Sequence, residues 1–354
     1  LLKPLAVMEA MAAELQRLYE RGAELLARLA RFAAPADDDC VRWLEVGTQY
    51  LRMLESPLSI ARIMQQRLLQ RTLDEDVNNE SEDRKTSGRK AWIFTSATLG
   101  NDARLSWFTD SCGLRGAKVL QVESPFDYHH QAGVYVPQPF AAAGSVQHSL
   151  QVAQLVLDAA QRIGGRTLVL TTTLKALHAI SESLRSALGL FADLDVLVQG
   201  EAPKLALIQR FMAAGVSQSP QPRGAILVAS ATFWEGVDLP GDLLQLVVID
   251  KLPFPPPDDP LVEARSRQLE RVGRTAFHDY MIPEAALALK QGAGRLIRSE
   301  SDRGVLVICD SRLVSMGYGG QLMAALPPMR MLGSPSEFEE ALEQLAAARG
   351  QGKR

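Results

Sequence analysis

From residue 91 onward the chain alternates short, unbroken apolar runs with longer stretches whose apolar residues return every three or four positions. The runs are "AWIFT" (91–95), "TLVLT" (167–171), "AILVAS" (225–230), "LLQLVVID" (243–250) and "GVLVICD" (304–310), rich in β-branched residues. Runs of this length without polar alternation read as strands buried on both faces. The periodic stretches 147–163, 174–187, 203–214 and 284–298 read as helices between them. Strand and helix in alternation predict an α/β fold with a mainly parallel sheet.

The first ninety residues follow other rules. Residues 5–31 place Val7, Met11, Leu15 and Leu18 at helical spacing, which predicts an amphipathic helix. "VRWLEVGTQYLRML" (41–54) partly alternates around Gly47-Thr48 and predicts a hairpin. "ESPLSIARIMQQRLLQ" (55–70) reads as a short helix after a proline. "DEDVNNESEDRKTSGRK" (74–90) contains almost nothing apolar and reads as a mobile surface loop.

The ends of the predicted strands carry candidate chemistry. They run into Ser96-Ala97-Thr98, into Thr172-Thr173, into "ATFWEGVDLPG" (231–241) and into Asp310-Ser311-Arg312. Ligands of open α/β sheets bind beyond the carboxyl ends of the strands. The same residue types also cap the helices that follow, so each end keeps both readings. The stretch "QGAGRLIRSESDRG" (291–304) adds a different signal. On a helix starting near Pro283-Glu284, Gln291, Arg295 and Arg298 share one face, and Leu289, Ala293 and Leu296 another. Gly292 and Gly294 would each weaken that helix by about 1 kcal/mol relative to alanine. Close approach of a backbone or a nucleotide explains them, with the arginines reaching phosphate oxygens. An ordinary amphipathic helix with two surface arginines is the alternative.

Composition narrows the class without choosing within it. The 354 residues are 47% hydrophobic and 22% charged, as in globular domains rather than disordered chains. A net charge of −3 argues against a uniformly basic DNA-coating surface but allows a local basic channel. No apolar run approaches the ~20 residues that span a bilayer, and "LLKPLAVMEA" lacks the shape of a signal peptide. Cys40, Cys112 and Cys309 are scattered, which fits neither a disulfide framework nor a metal knuckle and suggests a reducing cytoplasm. The chain starts with Leu and reads as a piece of a longer one.

In order and spacing, several segments resemble the motifs of superfamily 2 helicases of the XPD/DinG group. "QGAGRLIR" (291–298) resembles motif VI in its Q-x-x-G-R-x-I-R form, and "TSATL" (95–99) resembles motif III. "ATFWEGVDLPG" with "VVIDKLPFPPPDDP" (247–260) resembles motif V and its neighbourhood, and "LVLTTTLKAL" (168–177) lies where motif IV is expected. The likeness extends over roughly residues 41–350, and with "SPF" (124–126) it is nearest to the bacterial DinG-type helicases and their YoaA branch.

The resemblance implies a RecA-like fold: an end of a helical arch-type insertion in 1–40, the C-terminal part of a first RecA-like domain in 41–125, and a second RecA-like domain in 126–354. ATP would bind between two such domains, with Arg295 and Arg298 facing its γ-phosphate and Gln291 positioning them or the attacking water. Glu235, Gly236 and Asp238, with Ser96, Ala97 and Thr98, would couple nucleotide to DNA. Thr171, Thr172 and Thr173 would hold DNA phosphates and Trp234 would stack on a base. Helix caps, a strand-to-helix turn and a core tryptophan are the respective plain alternatives.

The implied activity is ATP-dependent 5′-to-3′ unwinding of single-stranded or forked DNA, in repair or replication stress, with further replication or repair proteins as partners. Two parts are missing from the sequence. It has no G-x-x-x-x-G-K-[ST] phosphate loop and no D-E-A-H acidic box for Mg²⁺. It also lacks the four cysteines of a 4Fe–4S cluster, which the resemblance leaves open for the absent part. The chain alone is therefore expected to be inactive and to hold no metal of its own. The other readings are a non-catalytic RecA-like adaptor that binds another protein, and an unrelated α/β transferase using Arg295 and Arg298 on a nucleotide-sugar diphosphate.

Overall fold

A computed structural model describes residues 13–66, 91–96, 98–100, 102–114, 116–189, 194–216, 224–230, 233 and 243–351. In chain order its main elements are α1 (Ala13–Ala33), β1 (Cys40–Val46), β2 (Leu51–Pro57), β3 (Ala132–Tyr135), α2 (Val146–Ile163), β4 (Thr167–Thr171), α3 (Leu174–Leu188), β5 (Leu194–Val198), α4 (Lys204–Val216) and β6 (Gly224–Ser230). They continue with β7 (Leu246–Ile249), α5 (Pro260–Arg271), α6 (Ile282–Ala293), β8 (Gly304–Ile308), α7 (Gly319–Ala325), β9 (Arg330–Leu332) and α8 (Pro335–Gln351). The chain divides into two compact units. One draws on residues up to Phe94, Ser106–Lys118 and Pro256–Ala276; the other on Thr95–Leu105, Val119–Pro255 and Phe277–Arg354.

In the first unit, β1 and β2 form the predicted antiparallel hairpin, with Cys40 opposite Pro57 and Val46 opposite Leu51. Gly47 opens its turn because a Cβ there would lie 2.4 Å from the Tyr50 ring. The hairpin is tied to the end of α1 by ions: Glu55 accepts from Arg31 and Arg42, and Arg42 also donates to the carbonyls of Phe32 and Ala34. The apolar stripe of α1 is largely solvent-facing, with Leu18, Leu25, Leu26 and Leu29 exposed. From Ala13 onward the helix exists as the periodicity predicts, but among the described residues its stripe is not buried; Val7 and Met11 lie outside the described residues. "AWIFT" is a correction. Residues 91–96 join no ladder among the described residues, and Ile93 is 84% exposed. Apolar composition favours a strand, but only a neighbouring strand supplies the hydrogen bonds that make one.

The second unit is built on a seven-stranded sheet in the order β5–β6–β4–β7–β8–β3–β9, every pair parallel. Successive residues point to opposite faces, and both faces are buried. Leu168, Leu170, Leu227, Val247, Ile249, Leu306 and Ile308 pack against α4, α6 and α7. Val169, Ile226, Val228, Val248, Val305 and Val307 pack against α2, α3 and α8. Four of the five apolar runs are thus strands, and the sheet is parallel and flanked by helices, as the sequence implied. Helices start where side-chain oxygens can take their first amides: Ser145 accepts from His148 N, and Thr173 from Ala176 N. Strands β3, β5 and β9 have no counterpart among the predicted runs. They are short or interrupted by polar residues, as in "LDVLV".

Candidate functional site

The arginine-bearing segment does not continue the helix as its periodicity suggests. Helix α6 ends at Ala293, with Gly294 as its cap, and Arg295 lies in the following turn, its amide bonded to Gly292 O at 3.2 Å. Gln291 belongs to the last turn of α6, Arg295 to the turn beyond, and Arg298 to the extended stretch after it, so the three do not share one helical face. All three are half-buried. Two forces end the helix here. Leu296 and Ile297 turn inward and are 1% and 2% exposed, and the next amides find a better acceptor than helical carbonyls.

That acceptor is Asp302, 2% exposed. Its Oδ2 accepts from Arg298 N at 2.8 Å and Ser299 N at 2.9 Å, and its Oδ1 from Ser299 Oγ at 2.6 Å. Charge-assisted bonds of this kind are among the stronger ones a loop can make. From the strand side, the Gln131 amide donates to the carbonyls of Ser299, Glu300 and Asp302. Arg303 donates to the carbonyls of Glu300 and Asp302. Gly304, the first residue of β8, completes the seat. A Cβ there would lie 2.4 Å from Leu296 Cδ1 and 2.8 Å from Gln245 O. Neither Asp302 nor Gln131 was among the candidates. Asp302 has a local signal, an aspartate three and four residues after the amides it takes. Gln131 has none, since it stands 168 residues from Ser299.

The threonines lie at the other edge of the same sheet. Thr171 ends β4, is 0% exposed and donates to Ala229 O, so its hydroxyl belongs to the sheet. Thr172 is half-buried, its amide donating to Asp250 Oδ1 at 2.9 Å, and Thr173 is exposed and caps α3. Asp250 is also 0% exposed and pairs with Lys251 Nζ at 2.9 Å. Burial pushes its carboxyl up, against the pull of Lys251. One strand over, Asp310 takes a two-pronged contact from Arg312, Nε to Oδ1 at 2.9 Å and Nη2 to Oδ2 at 2.7 Å, plus Leu252 N. Burial pushes Asp310 up, but Arg312 and Leu252 outweigh it and hold the carboxyl below its usual value. Arg312 lies over Phe254, which forms an aromatic trio with Phe277 and Tyr318.

Two candidate sets therefore occupy opposite edges. Arg295 and Arg298 precede β8, and the threonines follow β4; a five-residue strand separates the edges by about 16 Å. Ser96 and Thr98 form a local turn, Thr98 N donating to Ser96 Oγ at 3.1 Å. Ala97, Trp234, Glu235, Gly236 and Asp238 lie outside the described residues, as does the stretch 74–90. Among the described residues no three His, Cys, Asp or Glu side chains cluster as a metal site, and no helix is long and apolar enough to cross a membrane.

Residues 156–329 match the family model described as helicase C-terminal domain. The chain is 36% identical over 317 residues to the ATP-dependent DNA helicase YoaA of Escherichia coli strain K12, covering 90% of this chain and 45% of that protein. It is 35% identical over 268 residues to the ATP-dependent helicase DinG of Mycobacterium tuberculosis, covering 73% of this chain and 38% of that protein. The chain thus spans less than half the length of these relatives. A solved structure titled XPD_Helicase superposes with a TM-score of 0.41 at 17% identity, over 57% of this chain and 36% of that one. Residues 156–329 are thus similar to the helicase C-terminal domain family, and the wider chain to part of these named helicases.

Proposed function

We propose that this chain is the C-terminal portion of an ATP-driven 5′-to-3′ DNA helicase, with residues 126–354 as its second RecA-like domain. The observation that carries the reading is the turn after α6. It carries Gln291, Arg295 and Arg298 within eight residues of chain, with the backbone at Arg298 fixed by Asp302. Two guanidinium groups and an amide suit the oxygens of a triphosphate, with Arg295 and Arg298 stabilising charge on the transferred phosphoryl group and Gln291 orienting them or water. The phosphate loop and the Mg²⁺ carboxylates are absent from this sequence and would come from the segment that precedes it. When bound, Mg²⁺·ATP supplies the scissile phosphoanhydride; this chain binds and orients.

Single-stranded or forked DNA is the proposed substrate, held at the carboxyl edge by Thr172 and Thr173, in repair or replication stress. Ser96, Thr98 and the motif V residues Glu235, Gly236 and Asp238 would relay between edges. The similarity to a named DNA helicase over 90% of the chain, and to a named ATP-dependent helicase over 73%, supports this reading. In the full-length protein, Arg295→Ala should lower DNA-stimulated ATP hydrolysis by about 10³-fold or more while single-stranded DNA binding stays within a few-fold. Hydrolysis that survives the change overturns the assignment. The chain by itself should bind ATP no more tightly than an unrelated acidic protein, measured by titration calorimetry.

A further inference from the structure

We propose that Gln131 is a positioning residue for Arg298, an inference that rests on the proposed role of that arginine. Gln131 ends the four-residue helical turn Tyr128–Gln131 and immediately precedes β3, which pairs with β8 so that Ala132 stands opposite Gly304. Its side chain is 4% exposed, and its one amide nitrogen reaches three acceptors within four residues: Ser299 O at 2.9 Å, Glu300 O at 3.0 Å and Asp302 O at 3.2 Å. Two N–H bonds shared among three carbonyls curl the backbone around the amide. A curled backbone brings the Asp302 carboxylate within reach of the Arg298 and Ser299 amides. Gln131 Oε1 accepts no hydrogen bond among the described residues. The buried amide therefore serves as a donor only, and it serves this loop alone.

The two halves of the knot have different origins. Asp302 belongs to the loop it ties and would close it in any context. Gln131 comes from the connection leading into β3, so it fixes the closed loop to the sheet and sets where Arg298 starts. Misplacing a catalytic group by about 1 Å can cost on the order of 100-fold in rate. Gln131 touches no reacting atom; it acts through the position of Arg298.

The test uses the full-length protein and Gln131→Met, which keeps length and burial but removes the donor. DNA-stimulated kcat for ATP should fall about 10–100-fold, with KM for ATP and the Kd for single-stranded DNA within twofold. Amide hydrogen exchange at Arg298 and Ser299 should accelerate while β3 and β8 keep their protection. Gln131→Glu supplies a second variant should the methionine fail to fold. Its carboxyl, buried among carbonyls, donates only when protonated, so its kcat should recover toward the parent as pH falls. A kcat within twofold of the parent, or unchanged exchange at those two amides, overturns the proposal. Arg298→Ala separates the two failures. If it abolishes hydrolysis while Gln131→Met is parent-like, the inference on Gln131 alone is wrong; if it leaves hydrolysis intact, the role given to Arg298 falls, and the inference falls with it.

Discussion

At the carboxyl edge of the sheet, the buried carboxylates of Asp250 and Asp310 grip cationic side chains; at the amino edge, Asp302 grips backbone amides. Both arrangements satisfy a buried negative charge, but they fix different things. A carboxylate paired with Lys251 or Arg312 holds the far end of a side chain besides the amides it accepts, Thr172 N at Asp250 and Leu252 N and Arg312 N at Asp310. A carboxylate on two consecutive amides fixes the backbone itself, and with it the origin of Arg298.

The largest test of this contrast is Lys251→Ala. It strands the fully buried Asp250 carboxylate and should remove about 3–5 kcal/mol from stability in urea unfolding. The loss should shrink as pH falls, because Asp250 is already raised by burial and its neutral form needs no cation. A loss unchanged by acid would mean the edge is not held by charge pairing. At the amino edge, Gly304→Ala drives a methyl into Leu296 and the Gln245 carbonyl and should cost about 1–3 kcal/mol. It should also speed exchange at the Arg298 amide, and an unaltered exchange rate would detach the loop from its seat.

In the folded chain Thr173→Ala removes a helix cap and should cost about 1 kcal/mol by the same unfolding assay. The smallest effect is one of slope. Because Arg312 and Leu252 hold Asp310 below its usual value, the contribution of this group is present at neutral pH. It is lost as pH drops through the depressed folded value, below the ordinary carboxylate range. Asp310→Asn should flatten that acid limb, and an identical limb in both proteins would assign the acid sensitivity elsewhere.

What could be read from the sequence follows from how each feature is encoded. Four strands were visible because burial on both faces leaves an unbroken apolar run, a signal that needs no knowledge of neighbours. "AWIFT" carries the same signal but pairs with no strand among the described residues, because pairing is a property of the partner. The end of α6 was misplaced by five residues, from 298 to Ala293, because periodicity counts apolar positions. It cannot register that Asp302 outcompetes helical carbonyls for the Arg298 amide. The arginines stand out through their spacing and their likeness to a motif. Gln131 could not, since a lone glutamine before a strand looks like many others until the fold closes 168 residues onto it.

Strand β8 starts at Gly304 under the arginine loop and ends just before Asp310, so one strand spans both edges. Its ladders to β7 and β3 are parallel and in register on both sides. A slip of one residue would turn every inward side chain to the opposite face. The strand therefore works as a ruler of fixed length. Any motion that passes between the loop and the Asp310–Arg312 fork must carry the sheet as a solid body, because this span has no soft joint at which to stretch.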